Sequence, residues 1–310
     1  MENGNFNPEN LNIQWYPGHM TRTRRQMADS LKLVDAVVEI VDARIPKSSR
    51  NPDIDDLTKG KPRVLLLNKS DYADPAATKR WISYFTSQGI KSIECDCRSG
   101  SGLNGFSSAV RLVLSDQIKK WEAKGMRGRY IKLLVAGIPN VGKSSFINRM
   151  SKAGKAKVAD RPGVTRGNQW YSINCTSAGE KDSRSGGSND HKIELLDTPG
   201  VLWPKFDDPM VGLNLAVTGA IKDAVMDTEL LAAELLRLLL PLCPEVLIQR
   251  YKIKENDLTD NPTDLLALIA KGRAMLISGG EPDTERAAVM LLDEFRGGKL
   301  GRITLEEVNR

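Results

Sequence analysis

The chain has 310 residues, of which 40% are hydrophobic and 27% charged, and its formal net charge at pH 7 is +6. This length is sufficient for one enzyme-sized domain and a smaller second one, each with a buried core. No apolar run approaches the roughly 20 residues that a membrane-spanning helix needs, and the start lacks the basic-then-apolar layout of a signal peptide. The four cysteines follow neither a disulfide framework nor a zinc-binding spacing, which favours a reducing, cytoplasmic setting over a secreted one.

The first motif along the chain is Trp15-Tyr-Pro-Gly-His-Met20, a turn between aromatic residues and a basic helix. Histidine can position or polarise water near neutral pH, so His19 is a candidate catalytic residue. A single histidine after Pro-Gly is more often structural, and the residues alone leave both roles open. We treat residues 1–20 as a separate N-terminal segment.

A second motif, Asn68-Lys69-Ser70-Asp71, follows the apolar run 64–67, which predicts a buried parallel strand. Asp71 can accept hydrogen bonds from the N1 and N2 donors of guanine, a pair that adenine lacks. Asn68 is expected to tie this loop to a phosphate-binding loop, with the Lys69 stem along the base. By itself the motif is weak, and a solvated loop is the better interpretation, so its meaning depends on the next motif.

Residues 137–144 fit the pattern GxxxxGK[ST] of a phosphate-binding loop, the P-loop. The run 130–136 predicts a buried strand before it, and 145–150 predicts a helix after it. Phosphate is favoured at such a helix start, because main-chain N–H groups and the helix dipole converge there. Lys143 is expected to reach the β- and γ-phosphates, and the Ser144 hydroxyl to bind Mg²⁺.

Two later segments complete the phosphate side. Thr165, within Arg161-Pro-Gly-Val-Thr-Arg166, is a candidate to close on Mg²⁺ and the γ-phosphate, although it also fits a plain turn after Pro-Gly. In Asp197-Thr-Pro-Gly200, Asp197 would hold Mg²⁺ through a water, and the Gly200 N–H would contact the γ-phosphate. The next residue is Val201, where Ras-like GTPases have the glutamine that orients the attacking water. Either another group orients that water or hydrolysis is negligible.

The order of these motifs is unusual. In an ordinary GTPase the guanine-binding motif (G4) follows the P-loop (G1) and the DxxG motif (G3), whereas here residues 68–71 precede both. The sequence therefore predicts an α/β, three-layer P-loop GTPase fold over residues 21–215, circularly permuted in the order G4-G5-G1-G2-G3.

Residues 216–310 predict a second, helical domain. The segment 228–240 reads as a strongly apolar helix with Thr228 at its N-cap. Further helical segments are predicted near 263–271 and 284–295.

Basic residues are concentrated between Lys119 and Arg166, where 13 basic residues accompany 2 acidic ones. GTP needs only one or two of these charges, so the rest predict a face that binds RNA phosphates, unless they form only a solvated helix face. The candidates are Lys119, Lys120, Lys124, Arg127, Arg129, Lys152, Lys155 and Lys157. Residues 228–310 have a net charge of −3. RNA contacts there would need a local cluster, such as Lys271, Arg273, Lys299 and Arg302.

Taken together, the motifs resemble the bacterial ribosome biogenesis GTPase A family, of the YlqF type. Besides the permuted motifs, the segments that carry the resemblance are 13–20, Asp42-Ala-Arg-Ile-Pro46, Leu202-Trp-Pro-Lys205, Gly219-Ala-Ile-Lys-Asp223, Ser278-Gly-Gly280 and Gly301-Arg302, so it covers nearly the whole chain. It implies a GTPase that binds the large ribosomal subunit and its rRNA late in assembly and is activated by it. It also implies a catalytic His19, a hydrophobic Val201 as a family trait, and potassium-assisted hydrolysis at Asn140, with K⁺ neutralising transition-state charge.

Two features depart from the family pattern. The SAK-like loop that backs the guanine reads Asp96-Cys97-Arg98 here, which leaves its base contacts open. Residues 176–190 form a polar insert with the composition of a surface loop, to which we assign no function.

The predicted function is GTP hydrolysis coupled to a late maturation step of the large (50S) subunit, performed by a cytoplasmic monomer. The predicted catalytic residues are His19, Thr165 and Lys143. The residues expected to bind GTP or GDP are Asn68, Lys69, Ser70, Asp71, Asn140, Val141, Gly142, Lys143, Ser144, Ser145, Thr165 and Gly200. The residues expected to hold Mg²⁺ are Ser144, Thr165 and, through a water, Asp197, while Asn140 is the candidate for K⁺.

Two alternatives stay open on the sequence. One is a non-catalytic, GTP-dependent RNA-binding module or placeholder, in which Val201 reflects absent hydrolysis and His19 is structural. The other is a permuted GTPase of the small ribosomal subunit. Relatives of that kind carry an OB-like barrel or a Cys/His zinc site, and the sequence shows neither.

Overall fold

The computed structural model describes residues 20–126, 128–153, 169–173, 192–198, 200, 202–203, 206–221 and 226–308. The strands in this part of the chain are β1 (Ala36–Asp42), β2 (Arg63–Asn68), β3 (Lys91–Glu94), β4 (Ile131–Ala136), β5 (Trp170–Ile173) and β6 (Ile193–Asp197). The helices are α1 (Met20–Leu31), α2 (Pro52–Leu57), α3 (Pro75–Ser87), α4 (Phe106–Val113), α5 (Ser115–Ala123), α6 (Lys143–Ala153), α7 (Pro209–Val217), α8 (Thr228–Leu239), α9 (Pro244–Tyr251), α10 (Pro262–Gly272) and α11 (Thr284–Arg296).

The six strands form one sheet in the order β3-β2-β1-β4-β6-β5, with only β5 antiparallel to its neighbour. The apolar runs 64–67 and 130–136, predicted to be buried strands, are confirmed as β2 and β4. Every residue of β1 is buried, as expected for a parallel strand covered on both faces.

Helices cover both faces of this sheet and make three layers. On one face, Met27 and Leu31 of α1 pack with Leu134 of β4 in a buried cluster. On the opposite face, the rings of Phe106 in α4 and Phe146 in α6 meet edge to face, with centroids 5.1 Å apart. The three-layer α/β arrangement predicted from the sequence is therefore confirmed.

The described residues fall into two compact units. The sheet unit contains residues 20–203 and, after a second chain crossing, residues 306–308, whereas the helical unit contains residues 206–305. The predicted boundary between 215 and 216 falls inside α7, which belongs entirely to the helical unit.

The helical unit is built around α8, which packs against α7, α10 and α11. The residue that caps α8 is Asp227, whose carboxylate accepts a hydrogen bond from the Leu230 N–H, so the prediction of Thr228 as the cap was wrong by one residue. At the end of α7, the Arg296 guanidinium donates to the carbonyls of Ala216 and Val217 in the last turn of that helix. Within the described residues, no helix has the length and apolar character to cross a membrane.

Candidate active site

The candidate site lies where the order in which the chain adds strands to the sheet reverses. From β1 the chain proceeds outward through β2 and β3, and then returns to the other side of β1 with β4. In open α/β sheets, ligands bind at such a reversal, beyond the carboxyl ends of the strands. The P-loop follows β4 at this edge, and the motif at 68–71 ends the neighbouring strand β2.

The P-loop adopts a backbone that its sequence requires. Gly142 has a φ of +104°, and a Cβ at this position would lie 2.2 Å from the Asn68 side-chain nitrogen. Asn140 also has a positive φ, of +61°, a conformation that asparagine tolerates better than most residues. The loop thus approaches the 68–71 motif closely enough that any side chain at position 142 would separate the two.

Lys143 is the first residue of α6 and is nearly buried, with 9% of its surface exposed. Its ammonium donates hydrogen bonds to the carbonyls of Gly137, at 3.0 Å, and Ile138, at 2.7 Å. Burial lowers the pKa of Lys143 to about 8, although the nearby charge of Asp197 acts in the opposite direction. A phosphate group beside this ammonium would supply the negative charge that favours its protonated form.

Asp197 ends β6 on the other side of the P-loop. Its N–H donates to the Gln169 carbonyl at 3.1 Å. Burial raises the pKa of its carboxyl group, and the charge of Lys143 partly offsets that rise. A nearby divalent cation would favour the ionised carboxylate.

Gly200 must also be glycine, because a Cβ there would lie 2.7 Å from the Lys143 Nζ and 2.9 Å from the Pro139 nitrogen. These residues surround a cavity of about 410 Å³, within the range of small-ligand sites. Its lining consists of Pro139, Asn140, Lys143, Ser144, Gln169, Asp197, Thr198 and Gly200.

The donors around this cavity fit Mg²⁺. Ser144 and Asp197 both line it, and Mg²⁺ prefers hard oxygen ligands, such as a hydroxyl or a carboxylate, together with substrate phosphates and water. No cluster of three or more His, Cys, Asp or Glu side chains suited to a metal occurs in the described residues. A site completed by nucleotide phosphates needs no such cluster.

Asn68 joins three loops of the site. Its side-chain nitrogen donates to the Val141 carbonyl at 2.5 Å, and its side-chain oxygen accepts from the Cys97 N–H at 2.8 Å. Asn68 is 3% exposed, so water does not compete for these bonds. The link between the 68–71 motif and the P-loop that the sequence predicts is present.

Lys69 makes a contact that sequence reasoning did not anticipate. Its Nζ lies 2.9 Å from the Asp42 carboxylate, which also accepts from the Arg44 guanidinium at 2.7 Å and 3.0 Å. Burial alone would raise the pKa of Asp42, but the charges of Arg44 and Lys69 hold it well below its ordinary value. In the sequence, Asp42 is marked only as part of a segment that carries the family resemblance. Its position at the end of β1, in register with Asn68 of β2, is the signal that identifies it as a residue of this site.

The atypical loop at 96–98 is ordered by its own aspartate. The Asp96 carboxylate accepts hydrogen bonds from the N–H groups of Arg98, at 2.8 Å, and Ser99, at 3.1 Å. The Arg98 side chain donates to the Tyr72 hydroxyl and lies 5.4 Å from the centroid of its ring. Arg44 lies 5.8 Å from the same centroid, so Tyr72 is a further residue of this site that the sequence did not indicate.

Several predicted residues are brought together and others lie outside the described part. Asn140, Lys143, Ser144, Asp197 and Gly200 line one cavity. Ser70 donates its N–H to the Cys95 carbonyl at 3.2 Å, Asp71 is half-buried beside it, and Ser145 follows in α6. His19, Thr165, Val201 and the insert 176–190 lie outside the described residues.

Gln169 is a cavity residue that sequence reasoning missed. It lies just before β5, and its side-chain oxygen accepts a hydrogen bond from the Tyr171 hydroxyl at 2.6 Å. No motif marks this position, and only the pairing of β5 with β6 brings it beside Asp197.

The sheet order and this cavity define a P-loop GTPase with circularly permuted motifs. Residues 132–271 match a family described as 50S ribosome-binding GTPase. That range begins in β4 and leaves out residues 68–71, as a permuted order requires.

Relatives and solved structures that match nearly the whole chain show which family of P-loop GTPases it belongs to. Over 294 residues the chain is 44% identical to ribosome biogenesis GTPase A of Bacillus cereus, a match that covers 95% of this chain and 93% of that relative. A GDP-bound YlqF structure is 26% identical with a TM-score of 0.60, covering 91% of this chain and 99% of the other. A GNP-bound YlqF from T. maritima is 26% identical with a TM-score of 0.59, covering 92% and 98%. This protein belongs to the ribosome biogenesis GTPase A family, as its motifs predict.

Proposed function

We propose that this GTPase binds the large (50S) ribosomal subunit, couples GTP hydrolysis to a late step of its maturation, and is activated by the subunit. The main support is a P-loop cavity with its lysine, hydroxyl and carboxylate in place, in a chain that matches ribosome biogenesis GTPase A along nearly its whole length. The protein would act in the cytoplasm as a monomer.

Exposed lysines near the P-loop strand support contact with rRNA. Lys119 and Lys120 on α5 and Lys124 just after it are all exposed. Arg129 contributes less to such a face, because its guanidinium pairs with Asp35 at 2.9 Å and lies 4.0 Å from the centroid of the Trp121 ring. The side chains of Arg127, Lys152, Lys155 and Lys157 lie outside the described residues.

The helical unit offers a smaller set of basic groups. Lys271, Lys299 and Arg302 are exposed, whereas Arg273 lies 3.5 Å from the Glu294 carboxylate. A second rRNA contact through residues 216–310 would rest on the first three.

The group that orients the attacking water is proposed to be His19, with Thr165 closing on Mg²⁺ and the γ-phosphate. The valine at position 201 has no polar group for this purpose. Contact with rRNA would place both segments, so hydrolysis by the protein alone would be slow. Gln169 is the second candidate, because it is a polar residue that lines the cavity.

We assign the proposed cation ligands to the residues predicted from the sequence. Ser144 and Thr165 would hold Mg²⁺ directly and Asp197 through a water, where the ion neutralises charge on the transferring phosphoryl group. Asn140, which lines the cavity, is the proposed ligand of K⁺. Turnover should then be faster in KCl than in NaCl at equal ionic strength.

The test is GTP turnover in potassium buffer, with and without purified 50S subunits, for wild type, His19→Ala and Gln169→Ala. Stimulation that is lost only in His19→Ala, with GTP affinity unchanged, would support the proposal. Loss only in Gln169→Ala would move the catalytic role to that residue. Absence of stimulation in wild type would contradict subunit activation and favour a GTP-dependent RNA-binding placeholder.

A further inference from the structure

The short segment 306–308 belongs to the sheet unit although it follows the helical unit in the chain. The Glu306 carbonyl accepts a hydrogen bond from the Trp81 indole N–H at 3.0 Å. Val308 packs against the buried cluster that contains Trp81 and Phe85. These contacts fix the segment on α3 and the end of the sheet.

The Glu306 carboxylate binds the turn that follows β1. It accepts hydrogen bonds from the N–H of Lys47, at 2.6 Å, from the N–H of Ser48, at 3.0 Å, and from the Ser48 hydroxyl. Ser48 is 3% exposed, so water has little access to these bonds, and loss of Glu306 would remove an acceptor from buried donors. One side chain therefore satisfies three donors of a single turn.

The same turn is bonded to Asp42. The Ser49 hydroxyl accepts from the Asp42 N–H at 3.0 Å and donates to the Ile45 carbonyl at 2.7 Å. The Asp42 carboxylate in turn lies 2.9 Å from the Lys69 ammonium. Three polar contacts, joined through the backbone between Ser48 and Ser49 and through Asp42 itself, thus lead from Glu306 to the second residue of the Asn-Lys-Ser-Asp motif.

We propose that Glu306 is a positioning residue for the guanine-nucleotide site. By fixing residues 47–49 it holds Asp42 in place, and Asp42 in turn fixes Lys69. The inference rests on the proposed assignment of residues 68–71 as the guanine site and is independent of any role on the ribosome. Loss of the carboxylate should loosen the 68–71 loop and speed nucleotide release.

The neighbouring residue provides a matched control. Glu307 carries the same charge one position along and pairs with Arg80 at 2.9 Å, but both side chains of this pair are exposed to solvent. Exposed pairs of this kind contribute little to stability. Glu307→Gln therefore reproduces the change of charge without disturbing the turn at 47–49.

The experiment measures release of fluorescent mant-GDP by stopped flow from the full chain in wild type, Glu306→Gln and Glu307→Gln. We expect release about fivefold faster in Glu306→Gln, as loss of a charge-assisted hydrogen bond implies, and unchanged release in Glu307→Gln. If Glu306→Gln fails to fold, Ser48→Ala, which removes only the hydroxyl donor, should still speed release. Wild-type release rates in the folded variants would overturn the proposal, even if their melting temperatures fell.

A double-mutant cycle separates positioning from general destabilisation. Ser49→Ala cuts the same series of contacts closer to Asp42, so its effect on release should be much smaller in the Glu306→Gln background. If the two substitutions instead changed the release rate by independent factors, so that the double variant showed their product, the proposal would be contradicted. If Asp71→Asn leaves GDP affinity unchanged, the guanine-site assignment itself fails, and this result is distinguishable from a failure at Glu306.

Discussion

The side-chain amide of Asn68 donates a hydrogen bond to the main-chain oxygen of Val141, 73 positions later in the chain. The bond connects the Asn-Lys-Ser-Asp motif to the P-loop although the two occur in reversed order. A site of this kind depends on which strand ends lie close together in the sheet, whatever their order in the chain. Here only β1 lies between β2 and β4, so the loops that follow β2 and β4 can meet. The contact between the two motifs is therefore present in spite of the circular permutation.

Asn68→Ala should destabilise the protein and weaken GDP binding. The change leaves the Val141 carbonyl and the Cys97 N–H without their side-chain partner, at about 1–3 kcal/mol for each buried group. Urea unfolding should show a loss of about 2–6 kcal/mol, and Asn104→Ala, an exposed position, should show almost none. Equal stability of the two variants would contradict this role of Asn68.

Affinity for GDP should fall as pH rises above about 8, the value to which burial lowers the pKa of Lys143. Phosphates favour the charged ammonium, so binding at higher pH requires uptake of a proton and weakens by up to about tenfold per pH unit. Calorimetry at pH 9 in two buffers of different ionisation enthalpy would count that proton. No proton uptake would show that Lys143 stays charged in the free protein.

The stability of the free protein should change in the opposite direction. Between pH 8 and 10.5, the ordinary lysine value, the unfolded chain binds a proton at Lys143 that the folded chain has released. The contribution of this residue to the free energy of unfolding therefore rises with pH across that window. Denaturant titrations of wild type and Lys143→Met at several pH values would isolate the contribution, since the variant should lack it.

Asp71→Asn should exchange guanine for xanthine as the preferred base. The aspartate accepts from two guanine donors, whereas an asparagine can donate to the xanthine 2-oxygen and still accept from N1–H. We expect GDP affinity to fall by about 100-fold or more and xanthosine diphosphate to bind better than GDP. Asp116→Asn, on the exposed side of α5, is the matched control. An unchanged base preference would place guanine recognition elsewhere.

Replacing Lys119, Lys120 and Lys124 together by glutamine should weaken binding to 50S subunits and make it less sensitive to salt. Each phosphate contact contributes about 0.7–0.9 to the slope of log affinity against log salt, so the slope should decrease by about 2–3. Glutamines at the exposed Lys59, Lys79 and Lys91 change the net charge equally and serve as the control. Equal losses in both triple variants would indicate a long-range effect of charge rather than a defined RNA-binding face.

Sequence reasoning succeeded where chemistry is local. The strands β2 and β4, the P-loop and the Asn68 link follow from apolar runs and from motifs whose residue types their geometry requires. It missed Gln169, Tyr72 and Glu306, because their roles come from neighbours in the fold that no spacing in the sequence reveals. Thr228 was misjudged as a cap because Asp227 beside it is an equally good capping residue, and the structure selects the aspartate.

The double crossing of the chain makes the helical unit an insertion rather than an appendage. A chain cut after Trp203 would retain every nucleotide-binding motif. It would lose Val308, which packs against the Trp81 cluster, and the Glu306 carbonyl that accepts a hydrogen bond from the Trp81 indole. A minimal GTPase should therefore be made by removing the helical unit and joining residue 203 to residue 306 with a short linker. Simple truncation is expected to give a protein that aggregates through its uncovered aromatic residues.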